Sequence, residues 1–169
     1  MNELMKFRKK KDHFFEKDPH SPLSKEQKAA FQGLDYFPDN PDLRLVTEVK
    51  PFEVQEEVQI QTSTGDVQPY TRFGILAFDI EGQKVSLTLF IGKDGDPFVP
   101  FADLTSGKET YGAGRYLEPE ELDDGKYLID FNLAYNPWCA YSPAYSCPLP
   151  PEENRLKVAI QAGEKNYPG

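Results

Sequence analysis

The alternation of apolar and polar residues from Leu43 to Ile91 limits the fold of this chain more than any other feature. A period of two places successive side chains on opposite faces of a β-strand. The alternating runs are separated by Ser63–Asp66 and by Glu81-Gly82, turn-forming links that are too short to carry a crossover helix. Between these links, Tyr70 to Ile80 is apolar on both faces, as expected for a central strand. The pattern therefore predicts an antiparallel meander.

Other segments add strands and helices to this meander. Further strands are predicted later in the chain, around Arg115–Leu117, Tyr127–Phe131 and Leu156–Gln161. Before the meander, residues 2–17 have helical periodicity, and Ser24 with Gln27 makes a capping-box pattern at the start of a second, shorter helix. The sequence predicts a mostly β fold (β+α): an antiparallel curved sheet, half-barrel or β-sandwich of about eight strands with two N-terminal helices.

The length of 169 residues fits one domain, since a chain of this size buries about 70% of its unfolded surface. We expect a single domain over residues 1–169. Within it, residues 1–33 form an N-terminal helical arm and residues 43–161 form a β-rich body. No segment has the length and composition of a linker between two domains.

The charge distribution limits the partners. The net charge is −9; residues 1–30 hold eight basic and five acidic side chains, and the rest hold eleven and twenty-three. An acidic body repels phosphate backbones, so we expect no nucleic-acid partner, and we interpret the basic run from Lys6 to Lys11 as a solvated helix face. No apolar run is long enough to span a membrane, and the N-terminus lacks the apolar core of a signal peptide. We expect a cytoplasmic protein without a membrane partner; the oligomeric state stays open.

The stretch from Thr105 to Pro151 is where we expect the functional site. It holds six of the nine tyrosines, the only tryptophan and both cysteines. Inside it, Gly112, Gly114 and Arg115 form a Gly-Ala-Gly-Arg segment that is able to offer backbone N–H groups and a guanidinium to a carboxylate or phosphate. The same segment is equally well explained as a β-bulge or tight corner. It lacks the third glycine of a dinucleotide-binding fingerprint.

Five carboxylates are candidates for acid–base chemistry: Asp103, Glu109, Asp130, Glu152 and Glu164. Two of them at a suitable separation would serve glycoside hydrolysis. Asp130 interrupts an apolar strand, and a buried carboxylate needs an ionic or hydrogen-bonding partner. We predict a structural ion pair with Arg115 or Arg155, and favour Arg115.

Two cysteines are too few for a closed zinc site, and the only histidines, His13 and His20, lie in the arm. We therefore expect no metal. For Cys139 and Cys147 we favour two buried thiols over a disulfide, because the expected compartment is reducing. Core packing and the wall of a pocket both explain the nearby aromatic residues, Tyr135, Trp138, Tyr141 and Tyr145.

Several long motifs carry a family resemblance: TSGKETYGAGRYL, DFNLAYNPWCAY, CPLPPEENRL and the terminal AGEK. Together with FRKKKDHFF and SPLSKEQ near the N-terminus, they resemble the domain-of-unknown-function family numbered sixteen-eighty-four, an uncharacterised family of bacterial and archaeal proteins. The resemblance implies one β-rich domain with an N-terminal helical arm. It implies no established activity and no known cofactor.

The residues predict a small-ligand-binding β-domain with an anion- or polar-ligand pocket built from residues 103–116 and 130–147. One alternative is a carboxylate-based hydrolase or lyase acting on a small molecule or sugar, and another is an interaction module; the sequence does not decide whether the protein is an enzyme. A small molecule is the expected partner, with no cofactor. The predicted ligand-binding residues are Glu109, Tyr111, Gly112, Gly114, Arg115, Asp130, Asn132, Tyr135 and Tyr141.

Overall fold

A curled antiparallel sheet of eight strands forms a half-barrel that dominates the structure, a computed structural model that describes residues 2–167. The strands are β1 (Arg44–Pro51), β2 (Glu57–Gln61), β3 (Val67–Ile80), β4 (Gln83–Ile91), β5 (Pro97–Phe101), β6 (Arg115–Leu117), β7 (Glu120–Glu121) and β8 (Lys126–Asp130). Their order is β6-β5-β4-β3-β1-β8-β7, and β2 pairs with β3. The predicted mostly β, antiparallel fold is confirmed.

The long strand β3 organises the sheet. Its first half pairs with β2, for example Tyr70 with Val58, and its second half pairs with β1, for example Leu76 with Val49. Strand β4 pairs along the other side of β3. The two short strands thus follow one another along the same side of β3, and β1 lies between β3 and β8. The simple meander predicted from turn positions is therefore wrong at β1, because one 14-residue strand accommodates two shorter neighbours.

The predicted strand at Leu156–Gln161 is also wrong. This segment lies beside the end of β5, bends at residues 157–158 and makes scattered bonds, from Leu156 N to Ala102 O (2.8 Å) and from Leu104 N to Val158 O (3.0 Å). Its alternation arises because Leu156, Val158 and Ile160 are buried in the core while their neighbours are exposed. Alternating burial therefore does not by itself establish a hydrogen-bonded ladder.

Two α-helices precede the sheet, as predicted. Helix α1 (Glu3–Lys17) is capped by Asn2, whose side chain accepts a bond from Met5 N at 2.9 Å. Helix α2 (Lys25–Ala30) has the predicted capping box: Gln27 N donates to Ser24 Oγ at 3.1 Å and Ser24 N donates to Gln27 Oε1 at 2.8 Å. Within residues 2–167 neither helix is long and apolar enough to cross a membrane.

The core has two parts. The larger part lies inside the curled sheet and includes Leu76, Leu89, Phe101 and Phe131. The smaller part joins α1 to the C-terminal half of the chain and consists of Phe15, Leu23, Leu34 and Tyr141, with partly buried aromatic rings around them. At about 1.5–3 kcal/mol for each buried large side chain, this second cluster is sufficient to hold α1 against the body. It therefore brings α1 next to the loop that follows β8.

Candidate ligand-binding groove

A groove of about 610 Å³ separates α1 from the loop after β8. One wall is the face of α1, and the other comes from the body. The lining residues are Phe7, Lys10, Lys11, Phe14, Phe15, Glu118, Tyr135 and Trp138.

Helical periodicity explains the α1 wall. Phe7, Lys11 and Phe14 are spaced by four and three residues, so their side chains project from one face of the helix. On the opposite wall, Trp138 opens a short 3₁₀ turn, Trp138–Ala140, that begins directly after a proline. The turn places the indole toward the helix rather than in the core of the sheet.

The aromatic walls are only partly covered by protein. The Trp138 ring packs edge-on against Tyr145, with 5.2 Å between centroids, and lies 6.5 Å from the ring of Phe14. Trp138 and Phe14 are half-buried, and Phe7 is 45% exposed. The groove thus presents aromatic surface that an apolar ligand group is able to cover.

The two lysines of the groove differ in their partners. Lys11 forms an ion pair with the buried carboxylate of Glu164, and its Nζ lies 4.9 Å from the centroid of the Tyr135 ring. Lys10 is exposed and has no salt-bridge partner within residues 2–167. The charge of Lys11 is therefore compensated by the protein, whereas that of Lys10 is available.

A tyrosine–carboxylate bond lies at the body side of the groove. The hydroxyl of Tyr135 donates a hydrogen bond to Glu118. Burial raises the pKa of Tyr135 above its ordinary value, and the bond to Glu118 and the charge of that carboxylate raise it further. Tyr135 is thus a neutral hydrogen-bond donor at physiological pH, and one lone pair of Glu118 is already used.

The buried carboxylate of Glu164 holds Lys11, a residue of the groove wall, in place. Besides pairing with Lys11, its carboxylate accepts bonds from Tyr141 OH at 2.8 Å and from Asn136 N at 3.1 Å. The preceding residue, Gly163, has φ +81°, and a Cβ there would lie 2.7 Å from the carbonyl oxygens of Phe131 and Ala134. Only glycine fits this close approach, so Gly163 is required for the backbone path that places Glu164 here.

Asp130 and Arg115, the pair favoured from the sequence, do not meet. Asp130 bonds to Arg44 Nε at 3.1 Å, and Arg155 is likewise not its partner, pairing instead with Glu152 at 3.5 Å. Arg44 lies directly opposite Asp130 in the β1–β8 ladder. The predicted ion pairs are wrong because that ladder joins strands far apart in the chain.

Arg115 is fully buried and forms an ion pair with Asp103 at 3.6 Å. Its guanidinium also donates to the backbone carbonyls of Ile160 at 2.9 Å, Ala162 at 2.5 Å and Glu164 at 3.1 Å. Four protein acceptors thus surround the group predicted to bind a ligand. In this conformation Arg115 fixes the C-terminal segment.

The remaining predicted residues are distributed over several environments. Asn132 is buried and exchanges two hydrogen bonds with the backbone of Asn40, both 2.9 Å long. Gly112 is exposed, and Glu109 is exposed and accepts a bond from Gln161 Nε2 at 3.1 Å. Gly114 has φ +99°, and a Cβ there would lie 2.5 Å from Phe101 O, so protein packing occupies the space beside it.

The two predicted segments, 103–116 and 130–147, do come together. Tyr116 and Tyr135 exchange backbone hydrogen bonds of 2.8 and 3.1 Å, and Tyr111 OH lies 3.7 Å from Cys139 Sγ. Of the nine predicted ligand-binding residues, Tyr135 lines the groove, Tyr141 binds the carboxylate beneath it, and Asp130 lines a separate cavity of about 500 Å³.

Sequence reasoning missed the α1 wall and Glu118. The helical spacing of Phe7, Lys11 and Phe14 marked one face, but nothing in the sequence indicated what that face meets. Glu118 follows a three-residue strand in a run of acidic residues and had no local signal.

Cys139 and Cys147 are free thiols, the former half-buried and the latter buried. In the part of the chain that the structure describes, no group of three or more His, Cys, Asp or Glu side chains is arranged to hold a metal ion.

Comparison with known proteins gives a family and a fold relative. A family model described as "Protein of unknown function (DUF1684)" matches residues 29–165. The chain is similar to an uncharacterised protein of Haloarcula marismortui whose solution NMR structure has a TM-score of 0.72 to it. The two are 42% identical, over 96% of this chain and 91% of the other. No curated protein matches the chain.

Proposed function

This chain belongs to the DUF1684 family of proteins of unknown function, and from that premise we propose that it binds a small amphipathic anion in the groove between α1 and the Trp138 turn. The ligand has an apolar body, aliphatic or aromatic, and one anionic group such as a carboxylate. Of the two segments predicted to build the pocket, 103–116 and 130–147, only the second lines this groove, and α1 forms the opposite wall.

The partly exposed rings support the apolar half of the proposal. Phe7, Phe14 and Trp138 keep ring surface in contact with solvent on both sides of the groove. Covering such surface stabilises a complex by about 0.8 kcal/mol for each buried methylene. Pockets for small molecules combine mostly apolar walls with a few polar groups that fix orientation.

The unpaired charge of Lys10 is the observation that supports an anionic group on the ligand. Lys11 is compensated by Glu164. Glu118 is the groove's carboxylate, and it already accepts the hydroxyl of Tyr135. A bound anion therefore finds its partner at Lys10, on the basic arm of a protein that is otherwise acidic.

We do not extend the proposal to a carboxylate-based hydrolase or lyase. Asp103 is bonded within the core to Thr105 and to Ile160 N, and it pairs with Arg115. Asp130 is paired with Arg44. General acids and bases act through a proton exchanged with substrate, and these two carboxylates are engaged with the protein instead.

Trp138 permits a direct test, because it is the only tryptophan in the chain and lies in the groove. We expect decanoate to change the tryptophan emission with a saturable profile, and decanol, its uncharged counterpart, to bind more weakly. Replacing Lys10 with alanine is expected to weaken decanoate binding about two- to fivefold, the size expected for an exposed ion pair.

Lys9→Ala is the matched control, because Lys9 is an exposed neighbour on the same helix that does not line the groove. It is expected to leave the affinity for decanoate within error of the unmodified protein. Absence of any saturable response to decanoate, or equal losses in both lysine variants, would contradict the proposal.

A further inference from the structure

The two cysteines lie side by side behind the Trp138 wall of the groove. The backbone N–H of Cys139 donates to the sulfur of Cys147 at 3.3 Å. The Cα of Cys139 is therefore within about 5 Å of that sulfur, given the length of an N–Cα bond. The sulfur of Cys147 thus lies within one side-chain length of the Cys139 backbone, close enough for a rotation of the Cys139 side chain to bring the two sulfurs together.

The two thiols differ in access. Cys139 is half-buried, and its sulfur lies 3.7 Å from the hydroxyl of Tyr111. Cys147 is buried, and burial raises the pKa of its thiol to about 11, so it reacts slowly as a first nucleophile. Cys139 is thus the thiol that attacks an external disulfide first. Cys147 is placed to attack the resulting mixed disulfide.

The cysteine pair is linked to the groove through the backbone, because Cys139 directly follows the groove residue Trp138. Cys139 follows Trp138 within the three-residue turn Trp138–Ala140, so a displacement of its Cα displaces the indole as well. The residues between the two cysteines include Tyr145, whose ring packs edge-on against Trp138 at 5.2 Å. A bond between the two sulfurs therefore closes the segment that carries Tyr145, next to Trp138.

We propose that Cys139 and Cys147 form a reversible disulfide with a small-molecule disulfide as oxidant, and that its formation moves the Trp138 wall and changes the groove. The effect on ligand affinity rests on the proposed function; disulfide formation and the movement of Trp138 do not. In the reduced protein the Cys139 thiol faces Tyr111, and oxidation turns it toward Cys147.

The chemistry is a pair of thiol–disulfide exchanges. The Cys139 thiol loses its proton to solvent, and the thiolate attacks one sulfur of the oxidant, forming a mixed disulfide and releasing one thiolate, which takes up a proton. The Cys147 thiol then loses its proton to solvent, and its thiolate attacks the sulfur of Cys139 and releases the second thiolate of the oxidant, which takes up a proton. Two protein thiols are oxidised, and one external disulfide is reduced to two thiols.

The test compares the protein in reduced and oxidised glutathione. After oxidation we expect mass spectrometry to show the loss of two hydrogens without an attached glutathione, reversed by a reducing agent. In NMR spectra the nuclear Overhauser contact between the rings of Trp138 and Phe14, which are 6.5 Å apart in the reduced form, is expected to weaken. Affinity for decanoate is expected to change by at least about threefold.

Two variants separate the steps. Cys147→Ala is expected to stop at a stable mixed disulfide on Cys139, and Cys139→Ser is expected to remain unmodified. A persistent glutathione adduct on the protein without substitutions would contradict disulfide formation. An unchanged Trp138–Phe14 contact in the disulfide form would contradict the movement of Trp138 on oxidation. If decanoate fails to bind the reduced protein, the proposed function fails alone, because the mass and the ring contact still decide the redox inference.

Discussion

Arg115 illustrates how this protein uses a charge inside its core. Burial lowers the pKa of the guanidinium, while the charge of Asp103 opposes that shift. Three carbonyls of the C-terminal segment and one carboxylate surround it. Removing an ion from water costs several kcal/mol, and these four acceptors offset much of that cost, although Arg115 Nε has no hydrogen-bond partner within residues 2–167. The side chain therefore connects strand β6 to a segment that has no ladder of its own.

Replacing Arg115 with methionine is expected to lower the free energy of unfolding by about 3–5 kcal/mol, because it leaves Asp103 buried without its cation and three carbonyls without a donor. Urea denaturation followed by circular dichroism measures the loss. Arg44→Met is the matched control. Arg44 is more than one-third exposed, and its partner Asp130 keeps two hydrogen bonds from Asn132, so the loss of Arg44 is expected to cost at most about 1 kcal/mol. Equal losses in the two variants would show that the burial of the Arg115 pair carries no special weight.

Helix α1 is held to the body by an ion pair, by hydrogen bonds and by apolar packing. Lys11 interrupts the apolar face of the helix, and the structure explains this interruption by the buried carboxylate of Glu164. Arg8 also reaches the body, donating to the carbonyl of Phe37 at 2.9 Å. Phe15 contributes the apolar contact. The position of the helix on the body thus depends on charge as well as on apolar burial, because the buried carboxylate of Glu164 requires a cation at Lys11.

Substitution of Lys11 by methionine is expected to loosen α1. The change keeps the apolar stem but leaves Glu164 buried without its cation, which costs about 3 kcal/mol or more. Hydrogen exchange should show faster exchange throughout α1, while the amides of β3 and β4 keep their protection. Lys9→Met serves as the control, since Lys9 is exposed. Protection of α1 that is the same in both variants would contradict an ionic anchor at Lys11.

Across the whole molecule, local signals were predictable and long-range pairings were not. The capping box of Ser24 and Gln27 is contained in four residues, so its geometry follows from the sequence alone. The general β character follows from alternation in the same way. In contrast, Arg44 and Asp130 are 86 positions apart and meet only because β1 pairs with β8.

The candidate site shows the same limit. Tyr135 was predicted from its chemistry and its crowded neighbourhood, and it does line the groove. The other wall depends on the contact of Lys11 with Glu164, 153 positions away, which no local pattern reveals. Arginine is a common anion-binding residue, but Arg115 is fully buried and its partners are groups of the protein. Residue type thus indicated the chemistry, and only the fold showed which of these side chains line the groove and which are buried in the core.

Burial of phenols gives the whole protein a predictable response to alkali. Burial raises the pKa of four tyrosines well above their ordinary value of 10.0: Tyr36, Tyr116, Tyr135 and Tyr141. The folded protein keeps these protons above pH 10.0, whereas the unfolded chain releases them. The unfolded state then binds fewer protons, so the stability present below that pH is lost as the pH rises.

We therefore expect stability to fall steeply above pH 10.0, the ordinary pKa of these tyrosines. Each phenol contributes about 1.4 kcal/mol for each pH unit, so four remove about 5–6 kcal/mol per unit, which is comparable to the whole stability of a typical domain. Tyrosinate absorbance and far-ultraviolet circular dichroism, recorded together, should change in one cooperative step. Tyr141→Phe removes one of these phenols and should make the loss shallower by about 1.4 kcal/mol for each pH unit. Ionisation of these tyrosines near pH 10.0 with the fold intact would mean that their hydroxyls are open to solvent.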